Sequence, residues 1–490
     1  MTRIATILPA LLCCVFCIST ATALAAKKPS RPNILYIMAD DHSAQAISCY
    51  GSRLAKLAPT PTLDRLANEG ARLDRVFCTN SICVPSRASI LTGLYSHKNG
   101  VRGLSDSLDP SDQNVAKLIK SAGYKTAVIG KWHLKTDPAG FDHWEILRRQ
   151  GKYFNPTLHM AAGATQYEGQ VTDIITDRAI RWLDEQPKDQ PFMLMCQFKT
   201  PHEPWGYAYR YDKLYEDVTF PEPASLWEDQ SHRSLATRDR GYTMETLAAR
   251  FARKGHSKVA QDYTGMDAEQ RRRVTHQKLI RDYMRCIQGI DDNVARLLKR
   301  LDGLGLAENT VVIYTSDQGY FLGEHGYMDK RWMFEESLQM PFLIRYPGVI
   351  KPGTTNDDFV INTDFAPTLL DIAGLPTPRN MQGRSFLPCL TDATPDDWRD
   401  AMYYRYFSHS AARPAHVGIR TARYKLMWFY GNAVAGAPKE DSWELYDLSV
   451  DPKEVNNIYR EQSSQETIDR LEARMWQLAE ELGDQRPEVK

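Results

Sequence analysis

Short apolar runs that stop abruptly at polar residues recur along this chain, and stretches with helical spacing separate them. Residues 33–38 (NILYIM) are rich in β-formers and end in Ala39-Asp40-Asp41. That is the pattern of a strand buried on both faces, with acids at its C-terminal end. Residues 61–70 open on Pro61 and close on Gly70, which predicts a helix with a proline entry and a glycine exit. Residues 112–122 set Val115, Leu118 and Ile119 on one face before Gly123 stops them. The next strand, 125–129, runs into Gly130-Lys131-Trp132-His133. A helix over 172–183 precedes a strand over 192–198, which ends in Lys199-Thr200-Pro201-His202. The longest amphipathic stretch, 276–301, carries Met284, Ile287, Ile290, Val294, Leu297 and Leu301 at core-facing spacing. A strand over 310–315 ends in Ser316-Asp317-Gln318-Gly319, and a strand at 340–346 and a helix at 367–373 follow.

Alternating strands and helices predict an α/β fold, with a large, mainly parallel sheet covered by helices on both faces. Ligands of such sheets bind outside the carboxyl ends of the strands. Asp40/Asp41, Lys131/His133, Lys199/His202 and Asp317/Gln318 all fall at those ends. Residues 203–275 lack clear periodicity and read as a long excursion with short helices that lines the cleft mouth. A proline-rich linker around 376–395 sets the catalytic part, 27–394, apart from a smaller unit over 395–490. There, antiparallel strands are predicted at 402–407, 417–420, 424–430 and 443–447, with a closing helix over 466–482 packed on the sheet.

The chain's 490 residues carry 61 basic and 61 acidic side chains, so bulk electrostatics gives no case for nucleic-acid binding. Recognition of an anion must come from a local site. Residues 1–26 read as an export signal: Arg3, an apolar core over 7–18, and Ala23-Leu24-Ala25 as the cleavage pattern. The run is too short for a good transmembrane helix, so the mature chain is expected in the periplasm or outside the cell, free of the membrane. Cys49, Cys78, Cys83, Cys196, Cys286 and Cys389 remain after cleavage, with no C-x-x-C spacing to suggest zinc or thiol redox chemistry. Cys49 and Cys78 read as thiols and not as a bridge.

The most specific stretch is 83–93, Cys-Val-Pro-Ser-Arg-Ala-Ser-Ile-Leu-Thr-Gly. Pro85 suits the first turn of a helix. A helix continuing over 86–91 leaves Cys83 at its N-terminus, where amides and dipole favour an anion. Arg87 adds a charge that can fork onto sulfate or phosphate oxygens. The string resembles the type I sulfatase signature C-x-P-S-R-x-x-x-x-T-G, with all its fixed positions present. The 444–448 run ELYDL, with Asp451-Pro452 and Glu454, resembles that family's C-terminal domain, so the resemblance spans nearly the whole mature chain.

Asp40, Asp41 and Asp317 supply carboxylates from two strand ends, beside the amide oxygen of Gln318; an all-oxygen set suits Ca²⁺ or Mg²⁺ and not zinc. The resemblance makes these four residues and Cys83 the ligand set, with Ca²⁺ expected from its looser geometry. It also implies that a maturing enzyme oxidises Cys83 to formylglycine. One hydroxyl of the hydrated aldehyde then attacks sulfur in line, and the other loses its proton so that the carbon expels sulfate. By the same resemblance Lys131 and His133 flank the diol, His133 acts as base for release, and His202 and Lys330 stand near the leaving oxygen, His202 as acid. Arg87, Lys131 and Lys330 balance the transition-state charge, and Lys199 is a further candidate to neutralise sulfate.

Two further runs resemble sulfatases acting on N-acetylglucosamine 6-sulfate: 317–326 (DQGYFLGEHG) and Asp329-Lys330-Arg331-Trp332-Met333. The expected substrate is a carbohydrate sulfate, the 6-O-sulfate of N-acetylglucosamine or a related glucosamine in host or algal glycans. His409, His416 and Arg420 are candidate sugar-binding donors. A formylglycine-dependent phosphate or phosphonate ester hydrolase, and a sulfatase of galactose 6-sulfate or iduronate 2-sulfate, are the alternatives.

Overall fold

The computed structural model describes residues 31–187, 189–391, 393–410, 412–431 and 442–488. The export signal expected at 1–26 lies outside the described residues.

A ten-stranded sheet forms the frame. Its centre is β1 (Asn33–Asp40), flanked in parallel register by Phe192–Pro201 on one side and Thr310–Ser316 on the other. Lys125–Lys131 and His143–Leu147 extend the parallel part beyond Phe192–Pro201. Along β1 the side chains alternate between two apolar layers. Ile34, Tyr36 and Met38 enter one core, and Leu35, Ile37 and Ala39 enter the other, on the opposite face. A strand covered on both faces has no place for polar residues until it ends, which is why the polar groups gather at its carboxyl end.

The Ala268–Leu304 helix packs on one face, and the helices Cys83–Thr92 and Phe365–Ile372 belong to the other layer. The long helix starts eight residues earlier than its apolar spacing suggests. Asp267 caps it and Gln270 reaches back, so the charged turn 268–275 is helical although it buries little. The helix expected from 112 instead starts at Val115, because the Asn114 side chain accepts the Lys117 N–H as its cap.

One edge departs from the expected parallel order. Phe342–Arg345 runs antiparallel to Thr310–Ser316 and to Ala71–Leu73, and only Thr354–Asn356 beyond them is again parallel to its neighbour. Between the 310 and 342 strands the chain is spent on the short pair Phe321–Leu322 and Met328–Asp329 and one helical turn, Glu335–Leu338, and it forms no crossover helix. At the other edge, His143–Leu147 is followed by the antiparallel pair Thr157–Met160 and Gly163–Gln166.

The C-terminal unit is a four-stranded antiparallel sheet, Ala401–Tyr406, His416–Thr421, Tyr424–Phe429 and Trp443–Asp447, covered by the Gln465–Glu481 helix. Its core is continuous with one core of the large sheet through Trp332, Met333 and Phe334. The hairpin 407–415 reaches from it to the mouth: the Ala412 carbonyl accepts the Gly241 N–H at 2.9 Å. The excursion also reaches the mouth, where Tyr242 accepts the Met328 N–H at 2.8 Å, two residues from Lys330. Among the described residues no helix is long and apolar enough to cross a membrane, and the six described cysteines, Cys49 and Cys78 included, are free.

Candidate active site

The helix Cys83–Thr92 is buried along its whole length, and it places the signature against the strand ends. Ile82 is extended and precedes it, and Gly93 ends it in the left-handed region at φ 67°. Cys83 is thus the first helical residue and not its cap. Each fixed side chain has a physical task. Ser86 donates from Oγ to the Asp317 carbonyl and accepts from Asn362 Nδ2 at 2.9 Å, which ties the helix to the 310–316 strand end. Arg87 donates from Nε to Asp317 Oδ2 at 2.9 Å, and from Nη1 to the Lys131 carbonyl at 2.8 Å and to Gln197 Oε1 at 2.9 Å. One guanidinium therefore clamps three strand ends.

The acids and cations alternate around Cys83. Lys131 is bonded to Asp40 and donates to Gln150 Oε1 at 2.7 Å. Lys330 reaches Asp41 Oδ2 at 2.5 Å. Asp41 itself has a left-handed backbone, φ 70°, and donates its N–H to Asp317 Oδ1 at 3.1 Å. Gln318 is bonded to Asp41. Gly130 lets strands approach here, because a Cβ would lie 1.9 Å from the Gln197 carbonyl oxygen.

The residues present fit a hard divalent cation. Asp40, Cys83 and Asp317 each offer a buried ligand atom, all within 4.8 Å of one another. Gln318 Oε1 is buried with no hydrogen-bond partner, and Asp40 Oδ1, also without one, has only Arg87 Nη2 at 3.6 Å, which is costly unless something else satisfies them. Burial pushes the Asp41 carboxyl up to about 6, against the pull of Lys330. The donor atoms around Cys83 are oxygens, as Ca²⁺ or Mg²⁺ requires.

The two histidines are held differently. His133 has φ 61° and a buried Nδ1 without a partner. Burial, then the charges of Lys131 and Arg87, hold its imidazole far below the usual range, so it is neutral. His202 is likewise held neutral by burial and by Lys131 and Lys330. Its Nδ1 lies 2.6 Å from the Glu203 carbonyl, which makes Nδ1 the donor there, and Nε2 lies 3.7 Å from Asp41 Oδ2. Nε2 is the nitrogen available to the site, and it donates only when the ring is protonated. An anionic ester beside Lys131, Lys199 and Lys330 would favour that state. Burial lowers Lys199 to about 8; its Nζ sits 4.7 Å from the Tyr153 ring centroid.

The structure brings Asp40, Asp41, Cys83, Arg87, Lys131, His133, Lys199, His202, Asp317, Gln318 and Lys330 to one set of strand ends. It does not bring all three sugar-binding candidates there as free donors. His416 is fully buried, stacked on Trp332, Tyr404 and Tyr406. Arg420 is committed to Glu335 at 2.9 and 3.2 Å and lies over Phe77 and Phe359. Both belong to the interface between sheet and catalytic part, which corrects the expectation. Arg420→Ala should therefore lower thermal stability by about 2–3 kcal/mol and leave KM for a sugar sulfate within about twofold; a denaturation curve beside a kinetic assay checks this. His409 is exposed, at the start of hairpin 407–415.

Sequence reasoning passed over Asp329, Arg331 and Arg413. Asp329 is buried, receives Arg331 Nε at 2.8 Å and Arg413 Nη1 at 3.1 Å, and lies 3.6 Å from Lys330 Nζ. Asp329 and Arg331 both have left-handed backbones, which turns their side chains out of the regular strand direction beside Lys330. The signal for them was the Asp329-Lys330-Arg331 run itself, of which only Lys330 was taken up.

Comparison with known proteins decides the lineage. Residues 32–375 match the family described as "Sulfatase", and residues 323–481 match "N-sulphoglucosamine sulphohydrolase, C-terminal". The chain belongs to the sulfatase family. Its members are sulfuric ester hydrolases, with a metal and a formylglycine as general features. This sulfatase is 40% identical over 475 residues to an N-acetylglucosamine-6-O-sulfatase of Bacteroides thetaiotaomicron, covering 88% of this chain and 83% of that one. Among solved structures it resembles BT4656 in complex with its substrate D-glucosamine-2-N,6-O-disulfate, with TM-score 0.85, 38% identity, and coverage of 93% and 99%. A phosphonate monoester hydrolase of Agrobacterium radiobacter shares the fold, with TM-score 0.72 at 22% identity over 92% of this chain and 96% of that one.

Proposed function

We propose that this sulfatase removes the 6-O-sulfate of N-acetylglucosamine, or of a related glucosamine, in host or algal glycans. The observation that carries the reading is the joining of the complete Cys83–Gly93 signature to buried acids and cations at the strand ends. The 40% identical relative and the 38% identical neighbour support the choice of sugar. A primary 6-sulfate projects on an extra carbon, so it enters a narrow pocket while the ring stays at the mouth.

Cys83, as formylglycine, supplies the nucleophilic hydroxyl. Asp40, Asp41, Asp317 and Gln318 are the residues to hold the cation, which we take to be Ca²⁺, with Mg²⁺ the alternative. When bound, such an ion offers Lewis acidity and charge for the sulfate oxygens. Arg87, Lys131 and Lys330 balance the charge that spreads over those oxygens, and Lys199 adds to them. Protonated His202 gives its Nε2 proton to the leaving sugar oxygen, and neutral His133 takes the proton whose loss expels sulfate. Asp329, Arg331 and Arg413 line the approach as donors and acceptors for the ring. Residues 1–26 support export to the periplasm or beyond, where a sulfated glycan is met, after a sulfatase-maturing enzyme has acted on Cys83.

His202→Ala should cut turnover of a sugar sulfate by about 10³-fold and of an aryl sulfate by no more than about tenfold, since a phenolate leaves with little protonation. Equal losses on both would remove the acid role. The substrate itself is tested by sulfate release from N-acetylglucosamine 6-sulfate, galactose 6-sulfate and an iduronate-2-sulfate disaccharide in parallel. Preference for either of the last two would overturn the sugar assignment.

A further inference from the structure

Outside the catalytic rim, a cavity of about 730 Å³ opens between residues 97–102, the start of the 407–415 hairpin and the turn at 483–488. Two contacts join it to the mouth. Lys135, two residues beyond His133, donates from Nζ to the Ser105 carbonyl. The same loop touches the hairpin, since a Cβ on Gly103 would lie 3.0 Å from Ser408 Oγ. The loop 103–105 thus lies between the segment that follows His133 and the start of the hairpin that lines this cavity.

The lining is cationic in an otherwise neutral protein. Arg405 and Asp484 neutralise each other at 2.6 Å. Among the described lining residues, Lys98, Arg102 and Arg486 are exposed cations without an ion pair, against Glu488 as the acid in that state. Two of these cations lie on ring faces. The Arg102 guanidinium is 5.6 Å from the Phe407 centroid and that of Arg486 is 4.5 Å from Trp476. A stacked guanidinium keeps its N–H edge free to fork onto a planar set of oxygens. His97 Nε2 and the Tyr430 hydroxyl are already bonded, to the Leu482 and Tyr406 carbonyls, so the free cations carry the site.

We infer that this cavity is a second binding site, which holds a sulfate-bearing sugar further along the same glycan whose end is being desulfated. The inference rests on the sulfated-glycan reading above. A nucleic acid is the less favoured polyanion, because the cluster is confined to one cavity of a chain with equal basic and acidic counts.

The test uses the full-length mature protein carrying Cys83→Ala, so that binding is read without turnover. The probe is a defined hexasaccharide of sulfated glucosamine and uronate, titrated by calorimetry at two salt concentrations. Adding Lys98→Ala and Arg102→Ala should weaken binding about tenfold, and less at high salt. In the otherwise wild-type enzyme the same pair should raise KM for the hexasaccharide about tenfold, with kcat on it and kcat/KM on N-acetylglucosamine 6-sulfate unchanged. Hexasaccharide binding that Lys98 and Arg102 do not alter would overturn the site, as would an equal loss on the monosaccharide or equal binding of a DNA duplex. Binding governed by these two residues supports the cavity whether or not sulfate is released, so this inference and the sulfatase substrate fail separately.

Discussion

Replacing Cys83 by alanine is expected to lower turnover of every sulfate ester by roughly 10⁴-fold or more while the protein stays folded. The loss is large because the residue is nucleophile and release device together, and no neighbour can replace it. Ser86, the nearest hydroxyl in the helix, spends its proton on the Asp317 carbonyl and its lone pair on Asn362. The cost in stability should be small, about 1 kcal/mol, because the side chain is short and its surroundings are polar. Circular dichroism and a melting curve beside a sulfate-release assay check both halves. An alanine variant that retained turnover would falsify the nucleophile assignment.

The second large effect concerns the cation. Asp317→Ala should reduce turnover by about 10³-fold or more and lower metal content, since one of the carboxylates facing Cys83 is gone. It should also destabilise the protein by about 3 kcal/mol, because Arg87 loses its closer carboxylate, at 2.9 Å, and keeps only Asp40 at 3.6 Å inside a buried site. Asp317→Asn separates the two consequences. Its single amide oxygen can still accept from Arg87, although the Asp41 N–H then loses its acceptor, so stability should fall less while activity falls as far. Exhaustive chelation should abolish wild-type activity and lower Tm, because an ion that binds only the folded state stabilises it. Zinc should restore little, with no soft ligand offered once Cys83 is oxidised. Full activity after complete metal removal would contradict the ligand assignment, and unchanged stability of Asp317→Ala would contradict the role given to Arg87.

Much of this was legible in the sequence because strands covered on both faces concentrate their polar residues at their ends. Asp40, Lys131, Lys199 and Asp317 each follow an apolar run, and the run places them. Elements without such a run were not legible. Ala71–Leu73 and Thr354–Asn356 are three residues long, and a strand that short has no period to detect. The antiparallel course of Phe342–Arg345 was hidden because an apolar run marks a strand but not its direction.

His416 and Arg420 show a different limit. With Gly418 they share one face of their strand, and as polar side chains they are candidate donors for a sugar. That face instead packs on Trp332, Met333 and Glu335 from the catalytic part. Sequence alternation shows which residues share a face but not which surface covers it. Asp329 and Arg331 were missed for the converse reason. Asp329 ends a two-residue strand and Arg331 lies just past it, both with left-handed backbones, where neither helical nor strand spacing indicates direction.

The most direct measurement is mass spectrometry of the peptide containing Cys83, taken from protein made in a host with a sulfatase-maturing enzyme and assayed in the same preparation. The expected result is an aldehyde or its hydrate in place of the thiol, in a fraction that rises and falls with specific activity across preparations. Full activity in protein whose Cys83 is entirely unmodified thiol would contradict the account.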